Sequence, residues 1–277
     1  MSKRSRAIFT LAKKEFMDNV RSKWVLVLTF VFIGLILLIS AYGGVQAGRE
    51  AGIKGYEFTI NYGSSIVVIF ISIVAIVMGY KTLVSEVESK SVGLLLTSEM
   101  DRKDIVIGKF IGLFVVLGVS IIGGLIIGGL VIGISESFEN VDKYLYFILI
   151  SLVFGITYLT ISMFLSSVVN KQSRALAGGV FIWIFFTYIL DLVLIGILIA
   201  TGWELSLDPT VSVTYPDWYH QAGILSPNRI YNMLTQRILE MGTLPDVITL
   251  PMLIISFILW VFIPLFMSII IFDMKNM

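Results

Sequence analysis

Residues 110–134 read FIGLFVVLGVSIIGGLIIGGLVIGI, a run with no charged side chain and Ser120 as its one hydroxyl. An α-helix rising ~1.5 Å per residue crosses a ~30 Å hydrocarbon core in ~20 residues, so this run is long enough to span a bilayer. Five further apolar runs share its character, at about 24–42, 64–80, 144–169, 175–201 and 247–272. In lipid every backbone donor and acceptor must be satisfied within its own segment, which makes helices the expected form. The sequence therefore predicts an all-α, polytopic membrane protein with six transmembrane helices forming a single transmembrane domain over 1–277.

Composition points the same way. A chain of 277 residues with 57% hydrophobic and 14% charged side chains and a mean hydropathy of +0.94 does not describe a soluble domain. A net charge of +1 offers no electrostatic case for nucleic acid as a partner. Cysteine is absent, which excludes disulfides, thiolate metal sites and cysteine nucleophiles together. The first apolar run has no small-residue cleavage site behind it and reads as a span, not a cleavable signal.

Orientation follows from the basic residues. Segment 1–23 carries seven (Lys3, Arg4, Arg6, Lys13, Lys14, Arg21 and Lys23), segment 81–109 carries five, segment 170–174 carries Lys171 and Arg174, and the C-terminal tail carries Lys275. The alternate gaps hold Arg49, Lys54, Lys143, Arg229 and Arg237. Fifteen of the 20 basic residues thus fall in every second gap. The positive-inside rule places that side, with both chain ends, in the cytoplasm, and the expected location is the cell membrane.

Residues 5–23 read as a helix lying on the membrane surface. Ile8, Ala12, Phe16 and Val20 recur at i+4, with Phe9 and Met17 beside them and Lys13, Lys14, Arg21 and Lys23 elsewhere on the cylinder. An anionic leaflet favours that arrangement. A frayed basic tail would also obey the positive-inside rule, but it has no reason to keep the periodicity. The loop 81–109 reads KTLVSEVESKSVGLLLTSEMDRKDIVIGK. Glu86 and Lys90 form an i,i+4 pair in the favourable order, and Asp101 to Asp104 resembles a charged helix start. Its length and apolar content predict short helices docked on the membrane or on a partner protein.

Glu86-x-x-x-Lys90-Ser91-Val92-x-x-Leu95-Leu96-Thr97-x-x-x-x-Arg102, followed by Gly108-Lys109, resembles the motif of type-2 ABC exporter permeases of the NosY and NatB type. The segments Ala12-Lys13-Lys14-Glu15-Phe16 and Arg21-Ser22-Lys23-Trp24 are similar to the opening connector helix of that family. The six-span plan, with its longest external loop before the last span, is similar too. Lys90 stands where the family usually has Gly, Ser91 where it has Thr, and Glu99 where Pro is common. The resemblance implies that 81–109 is a coupling helix seated on a separate ATPase subunit. Glu86, Glu88, Arg102 and Lys103 would be its polar contacts, and Leu94, Leu95 and Leu96 its apolar anchors. No Gly-x-x-x-x-Gly-Lys-[Ser/Thr] phosphate loop occurs in the chain, so no cofactor is expected on it, and ATP and Mg would be held by the partner.

Within the spans, Gly124-x-x-x-Gly128 and Gly129-x-x-x-Gly133 permit close helix approach, either inside one subunit or between two. Asp191 is the one acid well inside a span. It is costly there unless it faces protein, water or a partner. With Thr187 and Tyr188 one turn earlier it is a candidate for the substrate path, while a satisfied structural acid is the competing reading. The aromatic residues of 202–246 suit a membrane-interface belt, and the resemblance implies short re-entrant helices there that close the outer mouth. His220, the single histidine, stands near Asp208 and Asp217, too little for a metal site. Pro251 and Pro264 are expected to kink the last span.

These readings converge on a permease subunit that forms a substrate path, with spans two and five as its walls, and works by alternating access. The expected partners are a separate ABC ATPase, a second copy or second permease in a dimer, and the lipid bilayer. An ion-gradient-driven secondary transporter is the alternative, although inverted repeats and broken helices are not evident. A membrane-embedded enzyme would need paired catalytic groups at one depth, and Asp191 stands alone.

Overall fold

The computed structural model describes residues 3–47, 55–89, 101–135, 140–203, 215–240, 245 and 247–275, all of them helix or connection with no strand among them. Helix α1 (Lys3–Val20) comes first. Six helices long and apolar enough to cross a membrane follow: α2 (Lys23–Gly43), α3 (Gly55–Glu88), α4 (Arg102–Ser135), α5 (Val141–Val168), α6 (Gln172–Ala200) and, after an excursion, α9 (Leu250–Met274). The excursion holds the short helices α7 (Asp217–Ala222) and α8 (Pro227–Leu239).

Each apolar run falls on one of these helices to within three residues, but the first turns of α3, α4 and α9 differ from what the runs suggest. α3 starts at Gly55, nine residues before the expected 64. Its polar first turns are held by contact: the Tyr56 hydroxyl donates to the Gly129 carbonyl of α4 at 3.0 Å, and Glu57 accepts from Asn140 at 3.3 Å. α4 starts at Arg102, not 110, because its charged first turns are paired as described below. In α9, Pro251 occupies the first turn instead of kinking the helix. A proline there costs no hydrogen bond, since that N–H has no intrahelical partner in any case. Pro264 does lie inside the helix.

α5 is the hub, packing against α9, α3, α4, α8 and α6. Phe147, Phe154 and Tyr158 on it are fully buried. Where α3 loosens into turns after Gly79, α5 repairs the backbone. Ser166 accepts from the N–H groups of Leu83 and Val84 at 3.0 and 2.9 Å, and Ser162 donates to the Ile76 carbonyl at 3.0 Å. The approach is so close that a Cβ on Gly79 would stand 2.7 Å from that of Ser162. Three of the α4 glycines serve packing inside the subunit. Gly124 and Gly128 seat Phe32 and Ile36 of α2, and Gly129 seats Tyr144 of α5.

Segment 215–240 is less external than its aromatic content suggests. α8 buries Asn228, Ile230, Tyr231 and Leu234 against α5, α3 and α9. Tyr231, expected in an interface belt, is instead fully buried beside Phe147 and Phe154, with its hydroxyl 3.1 Å from that of Ser151. A serine on the facing helix gives the phenol a partner, so depth carries no penalty.

Candidate functional site

The residues on either side of 90–100 converge on one end of the bundle, the end where the basic residues concentrate. Lys109 is the centre of it. Its side chain is 3% exposed, and its Nζ lies 2.6 Å from Glu15 Oε1 of α1 and 2.9 Å from Glu86 Oε1 of α3. One ammonium therefore joins α1, α3 and α4. A buried cation is tolerated only when paired and hydrogen-bonded, and two carboxylates from two other helices meet that need. One turn and a residue earlier, the buried Asp104 carboxylate accepts from Arg4 Nε and Nη2 at 3.0 and 2.7 Å. Asp101 lies 3.7 Å from the same guanidinium.

Glycine makes this seam possible. A Cβ on Gly112 would stand 2.4 Å from the Ala12 carbonyl oxygen, and one on Gly108 would stand 3.1 Å from that of Ile8. Arg4 beside Asp104, Ile8 beside Gly108 and Ala12 beside Gly112 advance in equal steps, so α1 and the first turns of α4 run side by side in the same direction.

The other contacts at this end bind helix termini. Glu88 Oε2 accepts from the Gln172 N–H at 3.3 Å, capping the first turn of α6 with an anion, as the helix dipole favours. Arg102 Nη1 donates to the carbonyls of Phe272 and Asp273 at 3.4 Å each and to that of Lys275. Lys103 Nζ stands 3.4 Å from Asp273 Oδ2. Lys275 in turn donates to the carbonyls of Ser167 and Val169, at 3.1 and 2.7 Å, at the end of α5. Cations thus close the orphan carbonyls of two helix C-termini. Glu86, Glu88, Arg102 and Lys103 are all brought to this end, each engaged with a neighbouring helix. Leu94, Leu95, Leu96 and Lys90 lie outside the described residues.

Glu15, Arg4, Asp104 and Lys109 were not among the residues singled out in the sequence as a site. The available signal was a lysine at the mouth of an uncharged span, flanked by Gly108 and Gly112, which asks for a buried anion and a close neighbour.

A second polar cluster occupies the opposite end. Ser226 caps α8 by accepting from the Arg229 N–H at 3.4 Å, with Pro227 at the first helical position. This start aims Arg229 at α6, where its Nε donates to Asp191 Oδ1 at 2.6 Å. Its Nη2 reaches the Tyr219 hydroxyl at 2.7 Å, and the guanidinium lies 4.4 Å from the centroid of that ring. Asn228 donates to Thr187 Oγ1 at 3.1 Å and accepts from the Tyr158 hydroxyl at 2.6 Å. Asp191 is therefore paired from outside its own helix. Thr187 serves Asn228, and Tyr188 is exposed with its ring edge-on to Trp183. His220 packs against Tyr215 and Tyr219, and burial with the neighbouring Arg229 holds its imidazole pKa below the ordinary value, against an opposing pull from Asp217. Asp208 lies outside the described residues.

The Asp191–Arg229 pair sets a measurable coupling between α6 and α8. Arg229 is mostly buried while the Asp191 side chain is 45% exposed. A double-mutant cycle of Asp191→Asn and Arg229→Leu, read by thermal unfolding in detergent, is expected to give about 1–2 kcal/mol, between the values of exposed and buried pairs. Additive single effects would remove the coupling.

Residues 9–277 match the sequence model of a family described as ABC-2 family transporter protein. The chain is 27% identical over 218 residues to the probable ABC transporter permease protein NosY of Stutzerimonas stutzeri, an alignment that covers 73% of this chain and 78% of that protein. The protein of the same name from Pseudomonas aeruginosa shows the same identity and coverage, 27% over 218 residues, 73% and 78%.

Proposed function

The chain belongs to the ABC-2 family of transporter proteins as a multi-pass transmembrane permease subunit, and from that premise we propose that it is half of an exporter driven by a separate ATPase docked at its basic end. The ATPase holds ATP and Mg. Two copies of this chain, or this chain and a second permease, surround the path. Both termini face the cytoplasm of a plasma-membrane protein.

The buried Lys109 junction carries this reading. Closure of an ATPase pair displaces whatever sits on 90–100, and the flanks of that segment are tied through Lys109, Glu88, Arg102 and Lys103 to α1, α6 and α9. A push there reaches several helices without deforming any one of them. α3 and α6 are the proposed walls of the path. Each is interrupted by a π-helical stretch, Val67–Ile71 and Phe185–Ile189, a feature common at functional sites. Alternating access then follows as the inner ends move and the Asp191–Arg229 contact opens or closes the outer end. Asp191, Thr187 and Tyr188 stand where cargo would leave.

Replacing 91–99 with a Gly/Ser linker of equal length leaves every described contact in place. The expected result is a protein that still folds and inserts but has lost the Walker-A ATPase that co-purifies with the native protein in mild detergent. Continued co-purification, or no ATPase with the native chain even after gentle crosslinking, would overturn the proposal.

A further inference from the structure

The α1–α4 seam leaves a groove of about 270 Å³ on its outward side, lined by Phe9, Ala12, Lys13 and Phe16 of α1 and by Ile111, Gly112 and Val115 of α4. Gly112 makes the floor, since a side chain there would fill the space α1 now occupies. Phe9, Ile111 and Val115 are exposed along it. Lys13 is its single charged lining residue and has no carboxylate partner among the described residues, unlike Arg4 and Lys109 on the same seam.

Depth decides what meets this groove. α4 has 34 residues, a length of about 51 Å, whereas the hydrocarbon core takes up ~20 residues. Counted back from Ser135, the core ends close to Val115. Val115 and Ile111 then sit at the inner boundary of the hydrocarbon, and Lys13, next to Ala12 and so level with Gly112, stands at that boundary with a side chain long enough to carry its ammonium to the lipid phosphates. An apolar trough entering the bilayer with an unpaired ammonium at its mouth matches one amphiphile in charge and in polarity.

We propose that this groove binds an anionic phospholipid, its phosphate on Lys13 and an acyl chain along Phe16, Ile111 and Val115. The inference rests on the basic end of the bundle facing the cytoplasm, which is part of the reading above, but not on the ATPase partnership. A lipid held there bridges α1 and α4 on the face opposite the Lys109 junction, so leaflet composition bears on how firmly α1 is seated.

The test is native mass spectrometry of the full-length protein titrated with phosphatidylglycerol and, separately, with phosphatidylcholine. The native protein and Lys14→Gln, which alters an exposed lysine outside the groove, should bind phosphatidylglycerol about fivefold more tightly, the effect of one surface cation. Lys13→Gln should abolish that preference, and Val115→Trp, which fills the trough at an exposed position, should weaken both lipids. No preference in the native protein, or an equal loss in Lys14→Gln, overturns the site in favour of diffuse surface charge. Undiminished binding in a folded Val115→Trp overturns the acyl-chain contact. No ATPase enters the readout, so failure here is distinguishable from failure of the coupling proposal.

Discussion

Lys109→Met is expected to destabilise the protein by about 3–5 kcal/mol, the usual consequence of removing one member of a buried ion pair. The methionine fills the lysine's volume, so the loss is electrostatic and not a cavity. Glu15 and Glu86, 13% and 14% exposed and now placed at 2.6 and 2.9 Å from Nζ, would face each other without their shared cation. Thermal unfolding in detergent measures the effect. Adding Glu15→Gln and Glu86→Gln to Lys109→Met should recover most of the stability, because the uncompensated charges are gone. ATP-driven transport should not recover, because three helices are no longer held by one ion. A melting temperature for Lys109→Met that matches the native protein would show that the junction is solvated and not structural. Full transport by the triple variant would dissociate the junction from coupling.

Gly112→Val should have the next largest effect. Its Cβ would meet the Ala12 carbonyl oxygen at 2.4 Å and Glu15 Cβ at 2.8 Å. Backbone cannot step aside by changing rotamer, so α1 has to lift from α4, and the Glu15–Lys109 contact goes with it. The cost is about 1–3 kcal/mol for overpacking, plus whatever the ion contact contributes. The strain is specific to the seam. Gly123 lies on the same helix with nothing within 4 Å of a Cβ, so Gly123→Ala should be neutral or stabilise by about 0.5–1 kcal/mol through helix propensity. Trypsin cleavage after Lys13 and Lys14 reports the position of α1. Faster cleavage in Gly112→Val, with no change in Gly123→Ala, is expected. Equal rates would mean that α1 is not held by this contact.

The span pattern was legible because it is local. A run such as 110–134 declares itself through hydropathy alone, and helix is the one form it can take in lipid. The alternation of direction followed from the basic residues, and the contacts between helix ends bear it out: Lys275 at the end of α9 reaches the end of α5, while Glu57 at the start of α3 meets Lys143 at the start of α5 at 3.8 Å. The helix starts at Gly55 and Arg102 were not legible, since polar turns there are stabilised by partners distant in sequence. Pro251 was misread for a related reason, because hydropathy does not reveal where a first turn begins.

Which residues pair was decided by the tertiary structure alone. Glu86 stands 2.9 Å from Lys109, a pairing across helices that its spacing from Lys90 gave no sign of. Asp191 looked isolated in its span, yet Arg229, 38 residues away, lies 2.6 Å from it. The small residues of α4 announced close contact but not with what, and α2, α5 and α1 each took a different glycine. Apolar runs and charge asymmetry act on each segment separately against the bilayer, so the sequence by itself determined the number and alternation of the spans. An ion pair or a glycine seat needs a second helix at a particular height and rotation, and only the packed bundle supplies that.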